Sequence, residues 1–246
     1  VLMQNTSKML DHNVLVRKAI GIETAGALNI LFSDKTGTIT KGKLEVVEFF
    51  TADGEVTTFN DNKIIDELMT LAIGKNTASM YDSEHNVIGG NATDRALMSF
   101  LGEEKFETIS NIPNLSVSES QGFNSTNKFS QAYLESVGKT FYKGAPEKLV
   151  AMAEKYVDKY GQIKPLNKEI LNEKIDSLAV KAMRVLAFGY SEKKLVENQI
   201  NDDIVIIGLV GIRDDVRQEA KDAIKEVQQA GIQVVMITGD RLETAV

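Results

Sequence analysis

Two short apolar runs, one near each end of the chain, give the clearest structural pattern in the sequence. Leu28 to Ser33 is apolar at most positions and leads directly into a polar loop that begins at Asp34. Gln233 to Ile237 is a second run of this kind, and Thr238 and Gly239 follow it. Such compact runs are typical of strands buried on both faces of a parallel sheet, so we expect these two strands to lie side by side.

A helical pattern precedes the second of these strands. Apolar residues recur at helical spacing between Asp215 and Ala230, and Gly231 ends the pattern. This segment therefore supplies the crossover helix that a parallel pair of strands requires. The ends of the chain together predict an α/β fold with a doubly wound parallel sheet that is incomplete, since only two of its strands are visible.

The middle of the chain has a different texture. Between Lys41 and about Ile212, short alternating segments mix with helical patterns such as Lys63 to Ile73 and with turns rich in Asn and Ser. This texture predicts an inserted α+β domain. A further helix is predicted before the first strand, from Val14 to Ala27.

Composition and charge exclude several classes of function. With 43% hydrophobic residues among 246, the chain can bury a core, and its formal net charge of -7 disfavours nucleic acid as the main partner. Zero Cys and two His exclude a disulfide framework and a zinc site, so that any metal is expected to have oxygen ligands. The longest apolar run, Ile204 to Ile212, is too short to span a bilayer, and the start at Val1 suggests a piece of a longer protein.

Asp34 carries the candidate chemistry. A carboxylate at the carboxyl end of a parallel strand lies where ligands bind in open α/β sheets, and it can attack the terminal phosphorus of ATP. Gly37 lets the backbone approach phosphate oxygens, while Lys35, Thr36 and Thr38 supply charge and hydrogen-bond donors. The neighbouring strand end offers the hydroxyl of Thr238 and the backbone N–H of Gly239 to the same phosphate, and Asp240, which follows them, is a further candidate catalytic residue.

Two other functions remain open at this point. A phosphatase of this sheet type usually has a second Asp two residues after the nucleophile, and here that position is Thr36. Without this proton shuttle a phosphoenzyme should persist, which suits an energy transducer better than a phosphatase. The other alternative is a nucleotide-binding module without chemistry.

The run from Asp34 to Thr40 resembles the phosphorylation signature of the P-type ATPases, and Thr238-Gly239-Asp240 resembles the second phosphorylation motif of that family. The resemblance implies a haloacid-dehalogenase-like fold, phosphorylation of Asp34, and Mg²⁺ held by Asp34 and the carbonyl of Thr36. Asp214-Asp215-Val216-Arg217 resembles the family's hinge, which implies that Asp214 and Arg217 contact nucleotide or orient the domains.

The inserted stretch is similar to the family's nucleotide-binding domain at four places. The resemblance implies that Phe123 stacks on adenine, with Ser125 and Lys128 beside the nucleotide. It also implies that Lys143 and Gly144 belong to an adenosine-pocket loop. By the same resemblance, Asp94 contacts the adenine amino group and Arg184 contacts the phosphates.

What the resemblance implies about the whole protein follows from these matches. Residues 1–21 are expected to be a stalk after a membrane helix, 22–41 and 213–246 the phosphorylation domain, and 42–212 the nucleotide-binding domain. The expected substrate is ATP with Mg²⁺, and the expected function is cation transport, with calcium as first choice and sodium, potassium, proton or magnesium as alternatives. The partners are the cation and the membrane and actuator domains, at the cytoplasmic face of a membrane. A later motif that supplies another metal ligand in the family is missing, so we expect weak ATP binding without turnover.

Overall fold

The computed structural model describes residues 2–11, 13–18, 20–181 and 183–239. The described chain divides into two compact units. Unit 1 contains the residues up to Gly42 together with Val216–Gly239, and unit 2 contains Lys43–Asp215. Among the described residues, no helix is both long enough and apolar enough to cross a membrane.

The elements follow one another in a mixed α/β order. The helices are α1 (Leu2–Asp11), α2 (Ile20–Gly26), α3 (Lys63–Gly74), α4 (Ala92–Leu101), α5 (Glu103–Ser110), α6 (Pro146–Met152), α7 (Lys168–Ala179) and α8 (Gln218–Gln229). The strands are β1 (Ile30–Asp34), β2 (Thr40–Phe50), β3 (Ser79–Tyr81), β4 (Val87–Gly89), β5 (Glu119–Gln121), β6 (Phe129–Leu134), β7 (Lys139–Gly144), β8 (Lys155–Val157), β9 (Ile163–Pro165), β10 (Arg184–Ser191), β11 (Val205–Val216) and β12 (Gln233–Ile237).

In unit 1, β1 and β12 pair in parallel, with Ile30 opposite Gln233 and Asp34 opposite Ile237. The crossover helix α8 precedes β12, as its apolar spacing predicts. The predicted helix from Val14 to Ala27 is wrong in its first half, because α2 begins only at Ile20.

The expected burial of β1 on both faces is also wrong for the described chain. Ile30 is 44% exposed and Phe32 is 61% exposed, and α8 has no buried residue. The physical reason is that a strand's faces are buried only by elements packed over its sheet, and the described residues leave these side chains of the two-stranded sheet exposed. The mixed α/β class is observed, and the complete doubly wound sheet of haloacid-dehalogenase type stays a prediction.

Unit 2 is organised around a larger sheet that, in the described residues, has the order β5-β6-β7-β10-β11-β8-β9, with β2 also paired to β11. The apolar run of β11 lies inside this sheet, and its residues alternate between the two faces except at a bulge, where the pairing with β10 skips Ile207. Ile207 and Val210 enter the core with α3 and α4, while Ile206 and Leu209 enter the core with α6 and α7. A strand covered on both faces explains why this run does not alternate in the sequence.

Local sequence signals fix the ends of several helices. Asn62 caps α3 by accepting hydrogen bonds from the N–H groups of Ile64 and Ile65. Asn91 caps α4 by accepting a hydrogen bond from the N–H of Asp94. Each cap pairs N–H groups that have no partner within the helix. The capped start of α4 thereby fixes the position of Asp94 in the first turn of the helix.

Candidate functional site

Asp34 is the last residue of β1, and its side chain is exposed. Its partner across the parallel pair is Ile237, the last residue of β12, so that Thr238 and Gly239 continue from the same edge of the sheet. The structure therefore brings the predicted nucleophile and two predicted donors to the carboxyl ends of two adjacent parallel strands. This edge is where open α/β sheets bind ligands.

The loop after Asp34 makes a tight reversal before β2. Gly37 has φ of 79°, a left-handed conformation that residues with a side chain rarely adopt. The hydroxyl of Thr40 accepts a hydrogen bond from the N–H of Gly37 at 3.2 Å and donates one to the carbonyl of Lys35 at 3.1 Å. Thr40 is only 2% exposed, so a single buried hydroxyl bonds both the first residue of the loop, Lys35, and Gly37 in its middle.

Arg217 donates hydrogen bonds to backbone carbonyls of the same loop and of the residue that follows it. Its backbone N–H donates to the carbonyl of Ile39 at 2.9 Å, and its Nε donates to the carbonyl of Thr40 at 3.0 Å. Its Nη2 donates to the carbonyl of Gly37 at 3.3 Å. Sequence reasoning assigned Arg217 to nucleotide and did not find this contact, because Gly37 and Arg217 are 180 positions apart in the sequence. The assignment to nucleotide stays a prediction.

Gly42 packs so closely against this loop that a residue with a side chain would clash with it. Gly42 has φ of +71°, and a Cβ added there would lie 2.9 Å from the Cα of Gly37. We expect Gly42→Ala to destabilise unit 1 by about 1–3 kcal/mol, since it adds a backbone clash to the strain of positive φ. Gly231→Ala is the matched control, because Gly231 has φ of +81° with no atom within 4 Å of the added Cβ. Urea unfolding of the two variants measures the difference, and equal losses would contradict the clash.

The other predicted catalytic residues occupy the loop or its neighbouring strand end. Thr36 and Thr38 are exposed, whereas Lys35 and Thr238 are partly buried. Asp240 lies outside the described residues. Among the residues that the structure describes, no group of three or more His, Cys, Asp or Glu side chains could hold a metal ion. The described candidates for Mg²⁺ are therefore the predicted pair, the Asp34 carboxylate and the Thr36 carbonyl.

In unit 2, the segments that carry most of the predicted nucleotide residues are adjacent at one edge of the large sheet. Phe129, which follows the loop carrying Phe123 and Lys128, pairs with Gly144 at the end of β7. Gly144 also pairs with Ala187, three residues after Arg184 at the start of β10. A Cβ on Gly144 would lie 2.6 Å from the Cβ of Phe129, so the glycine is required for this close approach. Phe123 is 56% exposed, and Ser125, Lys128 and Arg184 are also exposed.

Lys143 and Asp94 form a buried ion pair beside this edge. The Nζ of Lys143 lies 2.5 Å from Oδ1 of Asp94 and donates to the carbonyl of Asn76 at 2.7 Å. The side chains are only 8% and 11% exposed. Burial lowers the pKa of Lys143, while the charge and hydrogen bond of Asp94 act against that change.

The second carboxylate oxygen of Asp94 also has a protein partner. The side-chain amide of Asn91 donates to Oδ2 of Asp94 at 3.2 Å. Asp94 therefore anchors Lys143 and the start of α4, and its contact with adenine stays a prediction. Sequence reasoning missed Asn76, since nothing near this residue in the sequence indicates that its carbonyl accepts from a lysine 67 positions later.

Two exposed contacts hold the remaining cationic side chains of the edge. Nη1 of Arg184 donates to the hydroxyl of Thr93 at 3.2 Å, which connects the start of β10 to the first turn of α4. Nζ of Lys128 lies 3.0 Å from Oε1 of Glu147 in the first turn of α6. Thr93 and Glu147 were not predicted as site residues, although each lies in a segment that was recognised. An exposed ion pair such as that of Lys128 with Glu147 contributes little to stability.

Asp214, another predicted nucleotide residue, makes its hydrogen bond to a different part of unit 2. Its Oδ1 accepts a hydrogen bond from the backbone N–H of Lys43 at 3.3 Å. This contact joins the last part of β11 to β2 within unit 2. In the structure this hydrogen bond of Asp214 connects the two strands, and its predicted contact with nucleotide stays a prediction.

Comparison with known proteins gives a consistent result. Residues 65–219 match the family model described as P-type ATPase, cytoplasmic domain N. A calcium-transporting ATPase of Listeria monocytogenes is 32% identical over 100% of this chain and 29% of its own length. Calcium-transporting ATPase 7, plasma membrane-type, of Oryza sativa subsp. japonica is 31% identical over 97% of this chain and 25% of its own length.

A third relative, calcium-transporting ATPase 1 of Bacillus cereus, is 29% identical over 100% of this chain. The chain spans 28% of that protein, and thus between a quarter and a third of the length of each of these relatives. The match to the relatives covers both units, whereas the family model covers mainly unit 2.

Proposed function

Because this chain belongs to the P-type ATPase family, we propose that it binds ATP at the edge of the unit 2 sheet and accepts the γ-phosphoryl group on Asp34. The whole protein is then an ATP-driven cation pump, and this chain is part of its cytoplasmic portion. The observation that carries the proposal is the position of Asp34 at the carboxyl end of β1, directly beside the parallel end of β12. The names of the relatives favour calcium as the cation.

Phosphoryl transfer at Asp34 is written as an in-line displacement. A carboxylate oxygen of Asp34 forms a bond to the γ-phosphorus, the bond to the bridging oxygen of ADP breaks, and ADP leaves with that oxygen. Negative charge then lies on the γ-phosphoryl oxygens. Lys35, Thr36 and Thr38 on the loop are the groups that stabilise it, together with Thr238 across the edge.

The family implies Mg²⁺ as the metal that accompanies ATP. Mg²⁺ is usually bound by one or two carboxylates together with substrate phosphates and water, and it prefers oxygen ligands. The exposed carboxylate of Asp34 and the carbonyl of Thr36 fit this pattern, since the loop presents oxygen atoms and the described site has no sulfur or imidazole ligand. When bound, the metal neutralises phosphate charge.

The nucleotide site combines an exposed aromatic ring with exposed cations. The ring of Phe123 offers a face for adenine, and Lys128 and Arg184 offer positive charge for phosphates. Glu147 competes with phosphate for Lys128, so ligand binding exchanges one ion pair for another. The buried pair of Lys143 and Asp94 connects β7 to α4 beside this edge.

The decisive test is formation of an aspartyl phosphate in the complete pump. Membranes that contain the full-length protein are incubated with ATP labelled on the γ-phosphate, and the acid-quenched protein is treated with hydroxylamine, which cleaves acyl phosphates. The proposal requires label that is lost with hydroxylamine. Label that resists hydroxylamine, or rapid release of phosphate from general phosphomonoesters, would instead favour another phosphotransferase or a phosphatase.

We expect the 246-residue chain alone to bind ATP without sustained hydrolysis. The reason is that the proposed metal ligands at this site are only the Asp34 carboxylate and the Thr36 carbonyl, which would leave the charge of the phosphates poorly neutralised. Calorimetric titration with ATP measures binding, and release of inorganic phosphate over hours measures hydrolysis. Repeated turnover by this chain would contradict the expectation.

A further inference from the structure

The loop between β5 and β6, residues 122–128, is ordered by its own backbone. The N–H of Lys128 donates to the carbonyl of Asn124 at 2.8 Å, and the N–H of Asn127 donates to Oδ1 of Asn124 at 2.7 Å. Lys128 itself adopts φ of 61°. These bonds close the loop at one end, while Phe123 remains 56% exposed at the other.

A distant segment holds both ends of this loop through one side chain. Oδ1 of Asn198 accepts hydrogen bonds from Nε2 of Gln121 at 2.8 Å and from Nδ2 of Asn127 at 2.5 Å. The backbone N–H of Asn198 donates to Oε1 of Gln121 at 2.7 Å. Asn198 therefore bridges the residue before the loop and a residue within it.

The bridge is anchored in the core by Gln131. This residue is fully buried and pairs with Gln121 across β5 and β6. Its Nε2 donates to Oε1 of Gln121 at 2.8 Å and to the carbonyl of Val196 at 2.9 Å. The loop and the segment around Asn198 are thus connected to the same buried amide.

The conformation of Asn198 suits this task. Its φ of 59° is left-handed, a region in which Asn and Asp are enriched and most other residues with a side chain are strained. Val196 and Gln199 form an isolated bridge around it, which makes a tight turn. From this turn, Oδ1 of Asn198 accepts the hydrogen bonds of Gln121 and Asn127.

We propose that Asn198 is a positioning residue for nucleotide binding, which holds the loop so that Phe123 is preset to stack on the purine base. The inference rests on the proposed nucleotide site and adds a residue outside its recognised motifs. An exposed ring on an unrestrained loop loses conformational entropy when it stacks on a ligand. A loop that is already ordered avoids that loss, and the affinity rises accordingly.

The test uses this chain and four variants: Asn198→Gly, Asn198→Asp, Phe123→Ala, and the double variant Phe123→Ala with Asn198→Gly. Asn198→Gly keeps the left-handed backbone and removes the acceptor oxygen, whereas Asn198→Asp keeps both the backbone preference and an acceptor. We expect Asn198→Gly to weaken ATP binding by about 3- to 10-fold relative to the wild-type chain. The affinity of Asn198→Asp should stay within about 2-fold of the wild-type value. In the Phe123→Ala background, the effect of Asn198→Gly should fall below about 2-fold, because the bridge acts through the ring.

Two results would overturn the inference. One is unchanged ATP affinity in Asn198→Gly, and the other is an equal loss with and without the ring of Phe123, which would indicate a general structural role. Amide hydrogen exchange at residues 124–128 should be faster in Asn198→Gly, and unchanged exchange also contradicts the bridge. Failure of the wild-type chain to bind ATP would contradict the proposed nucleotide site, while the exchange measurement still tests the bridge by itself.

Discussion

Asp34→Asn should abolish phosphoenzyme formation in the complete pump. The substitution keeps the size of the side chain and removes the anionic oxygen that attacks phosphorus, so we expect a loss of more than about 10³-fold in hydroxylamine-sensitive label. ATP binding by the 246-residue chain should change by less than about 3-fold, because the proposed nucleotide edge is formed in unit 2 and Asp34 lies in unit 1.

A matched control tests whether the lost label results from the missing nucleophile or only from the loss of one negative charge in unit 1. Asp222→Asn makes the same chemical change at an exposed position on α8, also in unit 1, and should leave the label unchanged. Circular dichroism should show that both variants are folded. Label retained by Asp34→Asn at the wild-type level would show that another residue accepts the phosphoryl group.

Lys143→Met should strongly destabilise unit 2. The substitution preserves an unbranched side chain but leaves Asp94 buried and without its ion pair, which typically costs about 3–5 kcal/mol. Urea denaturation followed by circular dichroism gives the free energy of unfolding.

The exposed pair provides the comparison. Lys128→Met breaks the ion pair with Glu147, whose side chains are 50% and 58% exposed, and should cost less than about 1 kcal/mol. The double variant Lys143→Met with Asp94→Leu should recover part of the lost stability, because no unpaired buried charge remains. If Lys143→Met is no worse than Lys128→Met, the description of a buried charged pair is wrong.

The recognised resemblance to the P-type ATPases is confirmed by the family match and by the relatives that cover the chain. Local patterns were sufficient for this result, because the motif around Asp34 depends on residues that are adjacent in the chain. The same is true of the helix from Lys63 and of the crossover helix before β12, which the structure contains. The roles of the site residues stay predictions, as do the domain assignments.

The sequence by itself determined the candidate nucleophile, the parallel pairing of β1 with β12, and the segments that carry the nucleotide residues. Each of these depends on short-range periodicity or on a compact motif. It could not determine that β1 would be exposed in the described chain, since a strand's burial depends on what packs against it.

Only the tertiary structure decided the partners of the polar side chains. Arg217 reaches the carbonyls of the loop after Asp34, Lys143 reaches Asp94, and Asn198 reaches both ends of the Phe123 loop. In each case the partners are at least 49 residues apart in sequence. Hydrogen bonds and ion pairs form between groups that the fold brings within about 3 Å, and periodicity along the chain carries no record of that proximity.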